Sequence, residues 1–495
     1  MKKPLLIAIC FTLFFSCKEE VKETLSPEVL AIQELVLKQK ELFEAPGIAV
    51  GMIKNDTIVY ADAHGVQSLN TKKALTTKSI FHMASVSKPF VATAVIQLVE
   101  EGKIDLDEKL THYLPYYTMA DERYKDVTIR QMLSHTSGIP NTDDYEWDKP
   151  QYDDGAAERY ARSQNVFELD FTPGTEYSYS NPAFDILCDV ISKASGMTFE
   201  AYMKQNIFEP VGMVNSTFFK PGVSKELATS PHVLGDSLQL EVSKIYPYNR
   251  RHAGSSTLHS NVDDMLLWAR VNLNKGTING KRIYSEESYK LLTTIQTPKN
   301  QRKVGLSWFL GTINDNPFVY HAGSDTGYHT FFGFMPQGKV AITLMVNTDN
   351  FQTSKSIATI IRNSVFNDSI TVNAPIHYKL KNYILTENIK KVKEIYFTEK
   401  SKAVKDYDFD DGYLDDLGYW LIDRNHPKEA LDVFLLLVEV DPNYAGWVSS
   451  VGDAYKELDS IDQAIQWHKK ALKMNPKYEY PKEEIEKLLK KKSLK

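Results

Sequence analysis

Ser85 and Lys88 stand three residues apart in the stretch FHMASVSKPFVATAVIQLVEEGKIDL, a pairing that could make a nucleophile. A serine hydroxyl attacks a carbonyl only when a neighbour takes or weakens its proton, and an amine one helical turn away can do so. Pro89 is tolerated only near the first turn of a helix. Val91, Val95, Leu98 and Val99 recur at helical spacing, so the pattern predicts a helix beginning close to Ser85. Residues three apart share a face, and the positive end of the helix favours negative charge forming there. A plainer reading is also open, with Ser85 or Ser87 as an N-cap and Lys88 as a solvated side chain. S-x-x-K is short, and by itself it does not decide between them.

A serine nucleophile also needs a base, an oxyanion site and a group to protonate the leaving atom. Two stretches could supply them. In TEYSYSNPAFDIL, Tyr179 and Asn181 form Y-x-N just before a predicted helix. In VYHAGSDTGYHTFFGF, His321, Ala322 and Gly323 end a strand-like run before a glycine-containing turn. Each has a structural alternative: Tyr179 is one of 27 tyrosines, any of which can be a core aromatic, and His321 could be a satisfied strand-end histidine.

Taken in order, S-x-x-K at Ser85 to Lys88, Y-x-N at Tyr179 to Asn181 and H-x-G at His321 to Gly323 resemble the serine hydrolases related to penicillin-binding proteins and class C β-lactamases. The stretch QMLSHTSGIP, residues 131–140, also resembles a segment of that family, with a structural role. The resemblance implies that Ser85 is acylated, that Lys88 lowers proton affinity around it, and that Tyr179 carries the proton to the leaving group. It makes Asn181, His321 and Gly323 substrate-binding, with the backbone N–H groups of Ser85 and Ser324 as the oxyanion hole. A free phenol titrates near ~10, so Tyr179 acts as a base near neutrality only if a cation such as Lys88 stabilises its phenolate.

Class C β-lactamases have a lysine where this chain has His321, a group mostly neutral at pH 7. H-x-G variants are similar instead to D-amino-acid peptidases, D,D-carboxypeptidases and esterases of the superfamily. The expected substrate is therefore a small-molecule ester or a D-amino-acid-containing peptide. Two alternatives are a β-lactamase in the strict sense and a non-hydrolytic penicillin-binding sensor. No cofactor or metal is expected: there is no H-E-x-x-H, and a lone Cys188 cannot build a cysteine-based zinc site. Nor is there the G-x-S-x-G elbow of α/β-hydrolases.

The elements that must position these residues read as α+β. PGIAVGMIKNDTIVYADAHG predicts a hairpin turning at KND, and YHTFFGFMPQGKVAITLMVNTD a second strand pair joined at PQGK, with helices between. Strands at both ends and helices in the middle predict one antiparallel sheet flanked by helices, spanning residues 26–373. A helical linker over 374–405 and a repeat region over 406–490 follow. Gly418 aligns with Gly452, Ala430 with Ala464, Pro442 with Pro476 and Tyr444 with Tyr478, an offset of 34 residues and the period of tetratricopeptide helix pairs. Two repeats are few to stand alone, so these helices are expected to lean on their neighbours, either as a structural appendage or as a site for a protein partner.

Lys2 and Lys3, an apolar run from Pro4 to Phe15, then Ser16 and Cys17 resemble a lipoprotein-type export signal over residues 1–17, with Phe14 where leucine is usual. The expectation is an exported protein at the cell envelope, held to the membrane only by a lipid on Cys17. Cys10 falls in the leader, which leaves Cys188 as a small buried hydrophobe. A net charge of -6 over 495 residues points to no nucleic-acid partner.

Overall fold

The computed structural model of the chain describes residues 25–493 except 143 and 411. The expected leader, with Cys10 and Cys17, lies outside the described residues. Six strands build the central sheet: β1 Gly47–Lys54, β2 Thr57–Gly65, β3 Phe309–Ile313, β4 Asn316–Asp325, β5 Tyr328–Met335 and β6 Val340–Val346. Their spatial order is β2-β1-β6-β5-β4-β3, and every neighbouring pair is antiparallel. Asn55 and Asp56 close the first hairpin at φ 52° and 63°, left-handed values that Asn and Asp tolerate in a two-residue turn. β1 pairs with β6 from Ile48↔Val346 to Lys54↔Val340, so the N- and C-terminal strands share the sheet.

The helices of this domain that bear on the site are α1 Pro27–Leu42, α2 Lys88–Glu100, α3 Asn181–Ser195, α4 Val262–Leu273 and α5 Thr353–Phe366. Side chains alternate across a strand, and both faces are covered here. Ala49, Ile53, Ala341 and Met345 join the core shared with α2, α3 and α4. Ile48, Val50, Ile342 and Leu344 face Ile32 and Val36 of α1 and Ile357, Ile360 and Ile361 of α5. Cys188 is buried on α3, a free thiol with its Sγ 3.7 Å from the Phe184 carbonyl.

Beyond the sheet the chain is helical: α6 His377–Ile384, α7 Ile389–Ser401, α8 Gly412–Asp423, α9 Pro427–Val440, α10 Ala445–Glu457, α11 Ile461–Met474 and α12 Glu479–Ser493. The period seen in the sequence has a packing counterpart. A Cβ on Gly418 would stand 2.1 Å from the Phe434 ring, and one on Gly452 would stand 2.7 Å from the His468 ring. Both pairs are glycine against ring, at the same spacing along the chain. Segment 374–405 holds α6 and α7, and it is packed: Leu380, Ile384, Val392 and Tyr396 share a core with Leu414, Leu417, Phe434 and Leu437.

That core also takes Leu234 and Leu238, from a small hairpin of strands His232–Leu234 and Leu240–Val242 in the preceding domain. Arg424 donates to the carbonyls of Leu234 and Gly235 at 3.0 and 3.1 Å, and His426 lies 2.9 Å from that of Asp236. Lys381, fully buried, pairs with Glu44. The helices thus lean on the sheet domain. Among the described residues, no helix is long and apolar enough to cross a membrane.

Candidate active site

Ser85 sits in a single 3₁₀ turn, Ala84–Ser87, that feeds α2. A loop and a strand clamp this turn. Met83 N–H donates to Leu258 O at 2.7 Å, and Thr330 Oγ1 on β5 donates to Met83 O at 2.6 Å. Ser87 is no cap: its hydroxyl donates to Ala84 O at 2.7 Å and accepts from Leu258 N at 2.9 Å. Ala84 is held at φ 49°, a costly conformation for a residue with a Cβ, immediately before the serine.

Lys88 is not solvated. Its side chain is fully buried, and Nζ donates to Ser85 Oγ at 2.9 Å and to Ser255 O at 2.8 Å. The ammonium also lies 4.9 Å from the centroid of the Tyr179 ring. Burial lowers its pKa to about 7, against the opposing pull of Asp185 and Asp325. Both carboxylates are held in place. Asp185, on α3, accepts from Ser255 N at 2.8 Å and pairs with His252 Nδ1 at 2.9 Å. Asp325 pairs with His82 Nε2 at 2.8 Å and accepts from Ser256 Oγ.

Tyr179 precedes α3 and is fixed by the start of that helix. Ser180 is the N-cap, its hydroxyl accepting from Ala183 N at 3.2 Å, and Pro182 falls in the first turn. From the stretch 131–140 comes His135, which stacks on the Tyr179 ring with centroids 4.3 Å apart. Its Nδ1 accepts from Ser180 N at 3.1 Å, and its carbonyl accepts from Ser178 N at 3.0 Å. Burial holds this imidazole neutral, well below its ordinary pKa, so its proton sits on Nε2. The surrounding protein pushes the Tyr179 phenol well above its ordinary pKa, and the nearby Ser85 hydroxyl offsets part of that rise. Burial thus shifts the two groups in opposite directions, the Lys88 amine down and the Tyr179 phenol up.

Past Tyr320, which pairs with Phe309 of β3, the outer edge of β4 runs free and lies against the serine turn. There it presents His321, Ala322, Gly323 and Ser324. His321 is buried, and its Nδ1–H donates to Ala322 O at 2.7 Å. Burial, reinforced by Lys88, lowers its pKa to about 3. Gly323 packs against Ala84, and Ser324 is exposed.

These residues converge on one cleft of about 350 Å³. It is lined by Ser85, Tyr179, Asn181, His321, Gly323 and Ser324, the residues read from the sequence, and by Asn141, Tyr145, Phe309 and Asp325, which were not. Asp185 could have been found from its place one turn after Asn181 on α3. His135 lay in the stretch 131–140 without a role of its own, and Tyr145 had no local signal. The arrangement supplies a serine that touches an amine of depressed pKa, and a protonated phenol beside them. Among the described residues, no cluster of three or more His, Cys, Asp or Glu is placed to hold a metal ion.

Comparison with known proteins gives the family and the fold. Residues 38–365 match the family model described as beta-lactamase. Protein flp of Staphylococcus aureus is 24% identical over 306 residues, covering 62% of this chain and 60% of that protein. A penicillin-binding protein of Bacillus subtilis is 28% identical over 294 residues, covering 55% of this chain and 62% of its own length. The match thus spans less than two thirds of these relatives. Among solved structures, the octameric penicillin-binding protein homologue from Pyrococcus abyssi superposes with a TM-score of 0.60 at 22% identity, covering 72% of this chain and 81% of that one. A crystal structure of SurE also superposes with a TM-score of 0.60, at 21% identity, covering 70% and 79%.

Proposed function

The chain belongs to the beta-lactamase family of serine hydrolases, and from that premise we propose that it hydrolyses an ester or a D-amino-acid-containing peptide through an acyl-enzyme on Ser85. The observation that carries this reading is Lys88 Nζ, fully buried and 2.9 Å from Ser85 Oγ with a pKa lowered to about 7. At neutral pH a large share of Lys88 is free amine. It takes the Ser85 proton as Oγ adds to the substrate carbonyl. The backbone N–H groups of Ser85 and Ser324 receive the developing oxyanion. Tyr179, still protonated, gives its proton to the leaving atom and is reprotonated from Lys88. A water then takes the reverse path to free the acyl group.

A neutral His321 argues against a β-lactamase in the strict sense, whose substrates bring a carboxylate. The intact Ser85, Lys88 and Tyr179 argue against a non-hydrolytic sensor. The leader-like residues 1–17 support export and a lipid on Cys17. The glycine-ring packing of α8–α11 supports a tetratricopeptide-like pair, on which a protein partner could dock.

The test is a fluorescent fluorophosphonate followed by peptide mapping, with turnover of p-nitrophenyl esters, a chromogenic cephalosporin and D-Ala-D-Ala peptides. Label on Ser85, lost in Ser85→Ala, and ester or peptide turnover exceeding that of the cephalosporin are expected. Tyr179→Phe should lower turnover by about 10²–10⁴-fold on every substrate, the range of general acid–base catalysis. Label on another residue, or near-normal turnover in Tyr179→Phe, refutes the assigned roles.

A further inference from the structure

Lys88 is held by a carbonyl, and that carbonyl is held in turn. Ser255 O, which accepts from Lys88 Nζ at 2.8 Å, belongs to the one-turn helix Ala253–Ser256. The backbone N–H of the same Ser255 donates to Asp185 Oδ1 at 2.8 Å, and Asp185 Oδ2 accepts from His252 Nδ1 at 2.9 Å. A carboxylate cannot donate, so the imidazole proton of this contact sits on Nδ1. Asp185 is 0% exposed and His252 1%. The turn also meets α3 through backbone: a Cβ on Gly254 would stand 2.1 Å from Phe184 O and 2.7 Å from Cys188 Sγ. That close approach fixes how near the turn lies to α3, and Asp185 fixes the direction of the Ser255 N–H.

Charge reaches Lys88 from the same side. Besides Asp185, the titratable groups around Lys88 are Tyr179 ahead of α3, His135 from the stretch 131–140, and His321 and Asp325 on β4. Burial keeps both histidines neutral and pushes the phenol up. Asp185 and Asp325 are left to oppose the burial of the amine, and Asp185 pulls harder. Around Asp185 stand His252, Cys188, and Tyr145 and Tyr160, whose rings lie 4.9 and 4.8 Å from that of His252. Burial holds the thiol and both phenols well above their ordinary pKa, so none of them brings a second negative charge.

We propose that Asp185 and His252 are a positioning pair for the reaction at Ser85: His252 orients the Asp185 carboxylate, which aims the Ser255 peptide so that its carbonyl seats Lys88 against the serine. This rests on the reading of Lys88 as the base for Ser85. Neither residue lines the catalytic cleft, so both act through Lys88 and not on substrate. A neutral side chain could anchor the Ser255 N–H as well. The carboxylate adds a charge that holds up the proton affinity of the amine where burial drives it down.

The test follows two rates on the full chain from pH 5 to 9: kcat/KM on p-nitrophenyl acetate and the labelling of Ser85 by a fluorescent fluorophosphonate. Asp185→Asn keeps the shape and an acceptor for Ser255 N–H but removes the charge, so the acid limb of both profiles should move to lower pH by about half a unit or more. His252→Leu should lower kcat and the labelling rate about tenfold or more while KM stays nearly unchanged, as for a displaced catalytic group. His252→Asn, whose Nδ2–H falls where the imidazole Nδ1–H lies, should restore much of that loss. Should Asp185→Asn not fold, the two His252 variants decide alone. An acid limb that stays in place in folded Asp185→Asn, or equal rates in His252→Asn and His252→Leu, overturns the pair, while label on Ser85 of the parent leaves the hydrolase reading standing. Absence of label and of turnover in the parent overturns both.

Discussion

Gly323 on β4 passes so close to Met83 that a Cβ on it would stand 2.4 Å from the Met83 carbonyl oxygen. Thr330 Oγ1 would be 2.5 Å away and the Ala84 Cβ 3.1 Å. The strand edge and the serine turn touch here through backbone, which cannot swing aside. Gly323→Ala should therefore push β4 away from Ser85, misplacing Ser324 and His321 together. We expect kcat/KM to drop by about 10²-fold, as for a displaced oxyanion donor, while the protein stays folded by circular dichroism. Unchanged kinetics in Gly323→Ala would show that this contact does not set the site.

The depressed pKa of Lys88 fixes the acid side of the pH profile. Below about 7 the amine holds its proton and cannot accept one from Ser85; above it the free base dominates. The kcat/KM of a neutral ester should rise with pH through an apparent pKa of about 7 and then level off. His321 and His135 do not contribute this limb, since both are already neutral across that range. A rate that is flat from pH 5 to 9 would remove Lys88 from the role of base.

The same burial predicts a stability cost. The unfolded chain holds the Lys88 proton up to its ordinary 10.5, and the folded one only to about 7. Between those values the unfolded state binds more protons, so folding stability rises with pH, and the cost is present in full below about 7. Lys88→Met should abolish turnover yet raise Tm relative to the parent at pH 6, with the advantage shrinking as pH climbs from 7 towards 10. A Tm difference that does not change with pH would contradict the assignment. The outcome expected is a site that trades stability for chemistry.

Ending the chain at Asn373 should damage the domain that carries the site, although every lining residue of the cleft precedes it. Leu234 and Leu238 would lose the helical core that covers them, and Glu44 would lose Lys381. Two leucines uncovered cost about 1.5–3 kcal/mol each. The shortened protein should melt several degrees lower or aggregate, and chemical denaturation should show a lower midpoint. An unchanged midpoint would mean the helices ride on the domain without supporting it.

What could be read from the sequence followed from short-range pattern. Pro89 and the apolar spacing after it located the start of α2 and so put Ser85 beside Lys88. The helical pattern after Y-x-N located the start of α3 and so placed Tyr179 at its mouth. What could not be read depends on distant parts of the chain meeting. The stacking of His135 on Tyr179, and the placing of Asp185 and Asp325 around Lys88, follow from packing that no local periodicity encodes. The opposite shifts of Lys88 and Tyr179 were hidden for the same reason, since both follow from burial. The tautomer of His321 depends on one carbonyl of its own strand, a detail finer than any spacing.

The pairing of Ile48 with Val346 has a consequence for how the molecule comes into being. During synthesis β1 and β2 emerge early, but the inner edge of β1 has no partner until β6 has been made. Closing so long a loop is slow, and an open apolar strand is a hazard while it waits. Refolding from denaturant should therefore be slow and sensitive to protein concentration, and a chain stopped before β6 should be captured by chaperones rather than accumulate as a half-formed sheet.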